Sequence, residues 1–142
     1  MTKLYYAIPE SGPPNLVAFM ESLDSKLRMK LLKQYYLLMT HALPEEPTVK
    51  HFSIERYADL YELRARCQIM VRVIFTIRGD GSILFLVPFV KKHARNTMQA
   101  LDSSLKLLKQ VRLGDCPVSE VPADQLLKGA DCQGQQQKRV LL

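Results

Sequence analysis

The fold is decided by residues 60–90, LYELRARCQIMVRVIFTIRGDGSILFLVPFV. Apolar and charged side chains alternate from Leu60 to Cys67, and a second alternating run extends from Ile69 to Ile77. A period of two residues is typical of a strand with one buried face. The stretch therefore predicts two neighbouring, half-buried strands.

A hairpin turn and a third strand follow directly. Arg78-Gly79-Asp80-Gly81 contains the Asp-Gly pair that favours a tight turn between strands. Residues 82–90 are apolar on both faces, which is typical of a central strand. We expect Pro88 to end its regular pairing, because proline has no N–H to donate to a ladder.

The segment before these strands predicts one strand and two helices. Residues 3–8 form a short apolar run that ends at Pro9, as a first strand would. Asn15 can cap a short helix, and Asp24 can cap a longer one with a Leu-rich apolar stripe. Pro44 ends the longer helix.

The segment after the strands predicts a third helix. Asn96 opens it, with Gln99 at the spacing of a capping box, and Gly114 ends it. Four apolar residues at helical spacing form its predicted buried stripe: Met98, Leu101, Leu105 and Leu108.

The pattern as a whole predicts an α+β domain over residues 1–113 and a C-terminal extension over residues 114–142. Within the extension, residues 123–128 are expected to form one or two helical turns, and the Gln-rich residues 129–138 are expected to be mobile. Because the extension has little apolar periodicity, its deletion is expected to leave the fold intact.

Two registers of the strands around Cys67 fit the pattern. Paired residues of an antiparallel ladder point to the same side of the sheet. A loop of residues 67–69 puts Arg64 opposite Arg72, which makes sense if an anion lies between the two. A loop of residues 66–68 puts Glu62 opposite Arg72, which is an ordinary cross-strand salt bridge. Both registers place Arg64 and Arg72 on the same non-core face, and the sequence leaves both open.

Composition narrows the class of protein. The chain has 142 residues, a formal net charge of +6 and 47% hydrophobic residues, as expected of a basic globular protein that meets polyanions. The excess is local, since residues 90–112 contain six Lys or Arg residues and one Asp. No apolar run is long enough for a membrane span or a signal peptide, so we expect a cytoplasmic protein. The three cysteines show no disulfide pattern, and no group of residues has metal-ligand spacing.

Three segments together resemble the RelE/HigB-like toxins of bacterial type II toxin–antitoxin systems, in particular their phage-derived, HigB-like branch. The segments are a Glu-Leu-Arg strand at Leu60–Arg64, an Arg-containing strand at Val71–Phe75, and a strand that ends in a Lys-Lys pair at Phe85–Lys92. The early helix at Val17–Leu23 is also similar to that of the family. The resemblance implies a small twisted antiparallel sheet with two N-terminal helices packed on it and a C-terminal helix, a RelE-like arrangement.

The resemblance also implies an activity and partners. Such toxins are typically ribosome-dependent mRNA endoribonucleases that need no metal or other cofactor and are silenced by an antitoxin. The implied partners here are therefore the ribosome, mRNA and a cognate antitoxin, which we expect to be a small helix-turn-helix protein.

The matched positions give the candidate site residues. Arg64 and Arg72 match the strand arginines of the family and would hold the phosphate and its transition state, because guanidinium groups bind phosphate oxygens bidentately. Lys91 and Lys92 match the Lys-Lys pair, and His93 is a candidate for proton transfer because its pKa is near neutral. Two further arginines are candidates for RNA binding only: Arg66 and Arg95.

Departures from the family pattern support two alternatives. Val87-Pro88 stands where the branch often has His-Gly, which removes an obvious proton-transfer group. One alternative is a non-catalytic member that binds a protein target, as gyrase-poisoning relatives do. The other is a domesticated phage protein that acts as an interaction partner.

Overall fold

The computed structural model describes residues 1–121, which form six strands, three α-helices and one 3-10 helix. The strands are β1 (Leu4–Ala7), β2 (Val49–His51), β3 (Tyr61–Arg66), β4 (Met70–Ile77), β5 (Ile83–Val90) and β6 (Val118–Glu120). The α-helices are α1 (Leu16–Glu21), α2 (Ser25–Thr40) and α3 (Ala94–Arg112), and the 3-10 helix is Glu55–Tyr57. None of the helices in this part of the chain is both long enough and apolar enough to cross a membrane.

All six strands form one sheet in the order β2-β3-β4-β5-β1-β6. Every neighbouring pair is antiparallel except β1 and β5, which are parallel. The strands β3, β4 and β5 form two consecutive hairpins, as predicted from the alternation in β3 and β4, the Asp-Gly turn and the apolar run of β5. The α+β class is thus confirmed, whereas the RelE-like arrangement of the helices remains a prediction.

Apolar side chains cover both faces of the sheet. On the first face, α1 and α2 pack against a cluster that includes Leu63, Val73 and Phe85. On the second face, α3 packs against a cluster that includes Ile74 and Val87. Because strand residues alternate between faces, every second residue of β3 and β4 lies on the α3 side.

The first two helices begin where their capping residues predict. The side chain of Asn15 accepts a hydrogen bond from the backbone N–H of Ala18, and that of Asp24 accepts one from Leu27. Each bond satisfies a backbone donor that has no partner within the first turn of the helix.

The predicted start of α3 is wrong by three residues, since Asn96 was expected to be the N-cap. The helix begins at Ala94 with His93 as its N-cap, and Asn96 is the third helical residue. The Oδ1 atom of Asn96 accepts the backbone N–H groups of Lys92 and His93, at 2.9 and 2.7 Å. Asn96 therefore stabilises the helix start from inside the first turn. The spacing of Asn96 and Gln99 in the sequence does not indicate this position. Of the predicted buried stripe, Leu101 and Leu108 are buried, Leu105 is half-buried and Met98 is exposed.

Pro88 does not end the pairing of β5. The ladder with β4 continues through Val73↔Pro88 to Val71↔Val90. The backbone N–H of Lys91 donates to the carbonyl of Met70, so by alternation Val73 and Pro88 form a non-hydrogen-bonded pair. The proline nitrogen then points to the β1 side, where pairing stops at Phe85, and no ladder bond is lost.

The first residues of the predicted C-terminal extension, up to β6, belong to the folded domain. Cys116 is buried on the second face, and β6 pairs with β1. Three residues, one apolar followed by two polar, are too few to predict this edge strand, and the same is true of β2. The predicted helical turns at 123–128 and the Gln-rich segment at 129–138 lie outside the described residues.

Candidate nucleic-acid interface

The strands around Cys67 take the register with Arg64 opposite Arg72. Residues 67–69 form the connection, and the alternative with Glu62 opposite Arg72 is wrong, because Glu62 pairs with Ile74. Directly opposite residues have their Cβ atoms about 4.5–5.5 Å apart, so the two guanidinium groups start from adjacent positions on the sheet.

Two further cations lie next to this pair on the second face. Arg66 pairs with Met70 and is therefore a diagonal neighbour of Arg72. Lys91 is joined to Met70 from the other side by a backbone hydrogen bond, which makes it the second diagonal neighbour of Arg72. We call these four residues the basic cluster: Arg64, Arg66, Arg72 and Lys91.

A buried carboxylate lies against the cluster. The Oε1 atom of Glu62 accepts a hydrogen bond from Nε of Arg64 at 2.9 Å. The same oxygen is 3.5 Å from Nε of Arg72, which makes an ion pair. The Glu62 side chain is only 1% exposed. The register with Arg64 opposite Arg72 makes sense if an anion lies between the two, and Glu62 is an anion that contacts both.

The two arginines differ in how far they reach the surface. The Arg64 side chain is 25% exposed and that of Arg72 is 10% exposed. Burial lowers the pKa of Arg72, and the Glu62 carboxylate opposes this effect while Arg64 and Arg66 add to it. Arginine nevertheless stays charged at neutral pH. Its Nη2 atom also lies 3.7 Å from Sδ of Met70, which covers it in part.

Helix α2 holds the end of β3 that bears the cluster. Nε2 of Gln34 donates to the carbonyl of Arg64 at 3.0 Å, and Nζ of Lys30 donates to the carbonyl of Arg66. The partner strand β2 covers only the first part of β3, so these side chains satisfy carbonyl groups at the open edge. The backbone under Arg64 and Arg66 is thereby fixed to a helix.

The remaining candidate residues lie between β5 and the first turn of α3. Lys92, His93 and Arg95 are all exposed. Asn96 ties the backbone of the first two to α3. The N-terminus of α3 has the positive end of a helix dipole, so this junction adds to the positive field around Lys91. The structure brings Arg64, Arg66, Arg72 and Lys91 together on one sheet face. Lys92, His93 and Arg95 are near this cluster because they follow Lys91 in the sequence.

Two residues of the site were not among the sequence candidates. Glu62 shares the face of Arg64 by alternation, and that signal was available from the sequence. Phe89 is directly opposite Arg72 on β5 and is half-buried. Beside it, a cavity of about 330 Å³ extends along the open edge of β5 and is lined by Phe19, Phe89 and Asn96, among others.

Two tyrosines at or near the start of β3 could in principle stack on a base, but both have structural contacts. Tyr57 is buried, and its hydroxyl group donates to Asp102 at 2.7 Å. Tyr61 stacks on Phe75, with the ring centroids 5.4 Å apart. Both rings are therefore engaged in packing within residues 1–121.

Comparison with protein families gives one match. The model of the family described as "Phage derived protein Gp49-like (DUF891)" matches residues 18–109. This range is more than half of the chain and includes the basic cluster, Lys92, His93 and Arg95. The family is associated with RelE/HigB-like toxins. Comparison with curated proteins gives no match.

Proposed function

The chain belongs to the Gp49-like family of phage-derived proteins, and on this premise we propose that it is the toxin of a type II toxin–antitoxin system. Its activity in this proposal is that of a metal-independent endoribonuclease that cleaves mRNA on the ribosome. The finer assignment to the HigB-like branch is part of the same proposal.

The observation that supports it is the pairing of Arg64 with Arg72 on an open end of the sheet. Like charges on directly opposite residues are destabilising, and the single carboxylate of Glu62 offsets only part of the charge of the two arginines. An arrangement of this kind favours a ligand with several negative oxygens. Arg66 and Lys91 flank the pair on the same face. A cluster of four cations with one buried carboxylate stays strongly positive, as a phosphodiester site requires.

The proposed reaction uses the RNA as its own nucleophile. The ribose 2′-oxygen loses its proton and forms a bond to the adjacent phosphorus, while the bond from phosphorus to the 5′-oxygen breaks. The products are a 2′,3′-cyclic phosphate and a 5′-hydroxyl group that takes up one proton. Arg64 and Arg72 stabilise the charge that builds on the phosphorane oxygens. Lys91 and Lys92 hold the RNA backbone, and His93 transfers a proton.

The proposed partners follow from this activity. The ribosome presents the mRNA, and Arg66 and Arg95 contact its backbone. A cognate antitoxin, a small helix-turn-helix protein, silences the toxin. A cytoplasmic location is part of the proposal, since translation takes place there.

The experiment is cleavage of a defined mRNA in a reconstituted translation system. Purified chain is added, and cut positions are mapped by primer extension. We expect the Arg72→Lys variant to lose cleavage by about a hundredfold, because lysine keeps the charge but loses the bidentate fork. Arg64→Lys should behave similarly.

Arg112→Lys is the matched control. Arg112 pairs with Asp59 on the exposed surface, and both side chains are more than 60% exposed. Cleavage by this variant should equal that of the unchanged chain. A folded Arg72→Lys variant that cuts at the full rate would remove the arginine pair from the mechanism.

A second candidate function is binding without cleavage. It is favoured by the burial of Val87 and Pro88, which stand where relatives often have a proton-transfer group. In that case, induction of the chain arrests growth while primer extension finds intact mRNA. Cut transcripts from the unchanged chain, absent with Arg72→Lys, would exclude this candidate.

A further inference from the structure

Glu62 is the only acidic group among residues 1–121 that lies within salt-bridge distance of the basic cluster. Its side chain is 1% exposed, and its Oε2 atom has no hydrogen-bond partner within the described chain. A buried carboxylate is costly unless its charge is compensated. Two guanidinium groups compensate this one, through a single oxygen.

The carboxylate contacts both arginines at the same edge of the guanidinium group. The distances are 2.9 Å to Nε of Arg64 and 3.5 Å to Nε of Arg72. Within residues 1–121, the Nη atoms of Arg64 form no hydrogen bond to protein, and Nη2 of Arg72 forms one, to the sulfur of Met70. Nε of Arg64 is thus hydrogen-bonded, whereas Nε of Arg72 lies at ion-pair distance and has no hydrogen-bond partner within the described chain. The Nη groups of Arg64 remain for another ligand.

The contacts of Glu62 offset the repulsion that the strand register creates between Arg64 and Arg72. Arg64 and Arg72 repel each other because they are directly opposite, and each side chain alone has several rotatable bonds. An ion pair from each Nε to one shared oxygen holds both groups side by side against that repulsion.

We propose that Glu62 is a positioning residue, which holds Arg64 and Arg72 together so that their Nη groups converge on the RNA phosphate. The assignment rests on the proposed ribonuclease function. Glu62 is too deeply buried to reach a ribose hydroxyl group, so it acts through the arginines and does not touch the substrate.

A positioning role and a binding role predict different kinetics. Loss of the Glu62 charge makes the cluster more positive, so RNA binding is retained or becomes tighter. Loss of the alignment lowers the rate of the chemical step, since a misplacement of about 1 Å is enough to cost a hundredfold. We therefore expect Glu62→Gln to lower kcat by about tenfold to a hundredfold with KM unchanged or lower.

The experiment measures kcat and KM for mRNA cleavage on the ribosome, and the Kd for a 2′-O-methyl RNA oligonucleotide that cannot be cut. Glu62→Gln keeps the shape and loses the charge, and Glu62→Asp keeps the charge and shortens the reach. Asp59→Asn is the control, because it removes the carboxylate of an exposed arginine pair on another part of the surface. Its kcat and Kd should not change. Circular dichroism and melting temperature establish that each variant is folded.

Each outcome decides the inference. A folded Glu62→Gln or Glu62→Asp variant with full kcat overturns it, and it does so without touching the ribonuclease proposal if the unchanged chain cleaves. Weaker binding of the 2′-O-methyl oligonucleotide with unchanged kcat also overturns it. If Glu62→Gln does not fold, Glu62→Asp alone decides.

The inference also has a test that does not need cleavage. In the unchanged chain, the Nε–H of Arg64 is hydrogen-bonded and should exchange slowly with solvent in nitrogen-15 NMR spectra. Glu62→Asp should make that exchange faster by about tenfold or more, since a partly buried hydrogen bond is lost. Unchanged exchange would show that Glu62 does not hold Arg64. If the unchanged chain fails to cleave, the ribonuclease proposal fails, and this measurement still decides whether Glu62 positions the pair.

Discussion

Tyr35 and Tyr57 are both buried, but only Tyr57 has a hydrogen-bond partner for its hydroxyl group. Tyr57 donates to Asp102, whereas the hydroxyl oxygen of Tyr35 has no partner within the described residues. The ring of Tyr35 packs against Phe85, with centroids 4.9 Å apart. The ring of Tyr35 therefore stabilises the first face, and its hydroxyl group does not.

Tyr35→Phe is expected to leave the free energy of unfolding at pH 7 unchanged or to raise it by up to about 1 kcal/mol, because it removes a buried polar group without a partner. Urea denaturation measures this change. Tyr57→Phe is the comparison, and it should lower stability because Asp102 loses a donor. A loss of more than about 2 kcal/mol for Tyr35→Phe would indicate a partner that the structure lacks.

The same substitution should alter the dependence of stability on pH. Burial raises the pKa of Tyr35 in the folded chain, and the hydrogen bond to Asp102 raises that of Tyr57. The unfolded chain releases these protons near pH 10, before the folded chain does. Stability is therefore full below about pH 10 and falls as pH rises above it. Tyr35→Phe should make that fall less steep.

At the scale of elements, the start of α3 connects the helix to the basic cluster. Asn96 binds the backbone N–H groups of Lys92 and His93, which directly follow Lys91. These hydrogen bonds join residues close in sequence, but they also connect α3 to the sheet, because the backbone N–H of Lys91 donates to Met70 of β4.

Asn96→Ala is expected to cost about 1 kcal/mol of stability, as the loss of a helix-capping side chain usually does. It should also lower mRNA cleavage, because the Lys91–His93 segment loses its attachment to α3. Asn15→Ala is the control, since it removes the cap of α1 on the first face at a similar cost. Melting temperature and primer extension measure both variants. Equal mRNA cleavage by the two variants would show that the Asn96 contacts at the start of α3 are not needed for activity.

At the scale of the whole molecule, the sheet is completed by a segment that the sequence assigned to the extension. β6 adds an edge to β1, and further backbone hydrogen bonds join Ile8 to Pro117 and Val121 to Leu4. Because β1 is the parallel strand next to β5, this segment supports the centre of the sheet.

A chain that ends at residue 113 should be less stable than the full chain by about 2–4 kcal/mol, since it loses the β6 hydrogen bonds and the buried Cys116 side chain. This expectation replaces the sequence-based one that truncation leaves the fold intact. A chain that ends at residue 121 keeps β6 and is the control, so it should be more stable than the 113-residue chain. Urea denaturation compares the three chains. Equal stability of the 113-residue and full chains would contradict the role of β6.

The sequence by itself determined the elements with strong local periodicity. The caps at Asn15 and Asp24, the Asp-Gly hairpin and the alternation in β3 and β4 depend on neighbours a few residues apart. It also determined that Arg64 and Arg72 share one face, because a strand alternates with a period of two. Segments of three residues, such as β2 and β6, are too short for such a signal.

Only the tertiary structure decided how the site is assembled. Both registers at Cys67 preserve the faces, so alternation cannot choose between them, and the choice depends on the loop and on the side chains that pack below the strands. The ion pair from Glu62 to Arg72 joins diagonal positions on two strands, and the approach of Lys91 needs a third strand. Periodicity fixes the direction in which a side chain points along one strand, whereas distances between strands arise when distant segments pack together.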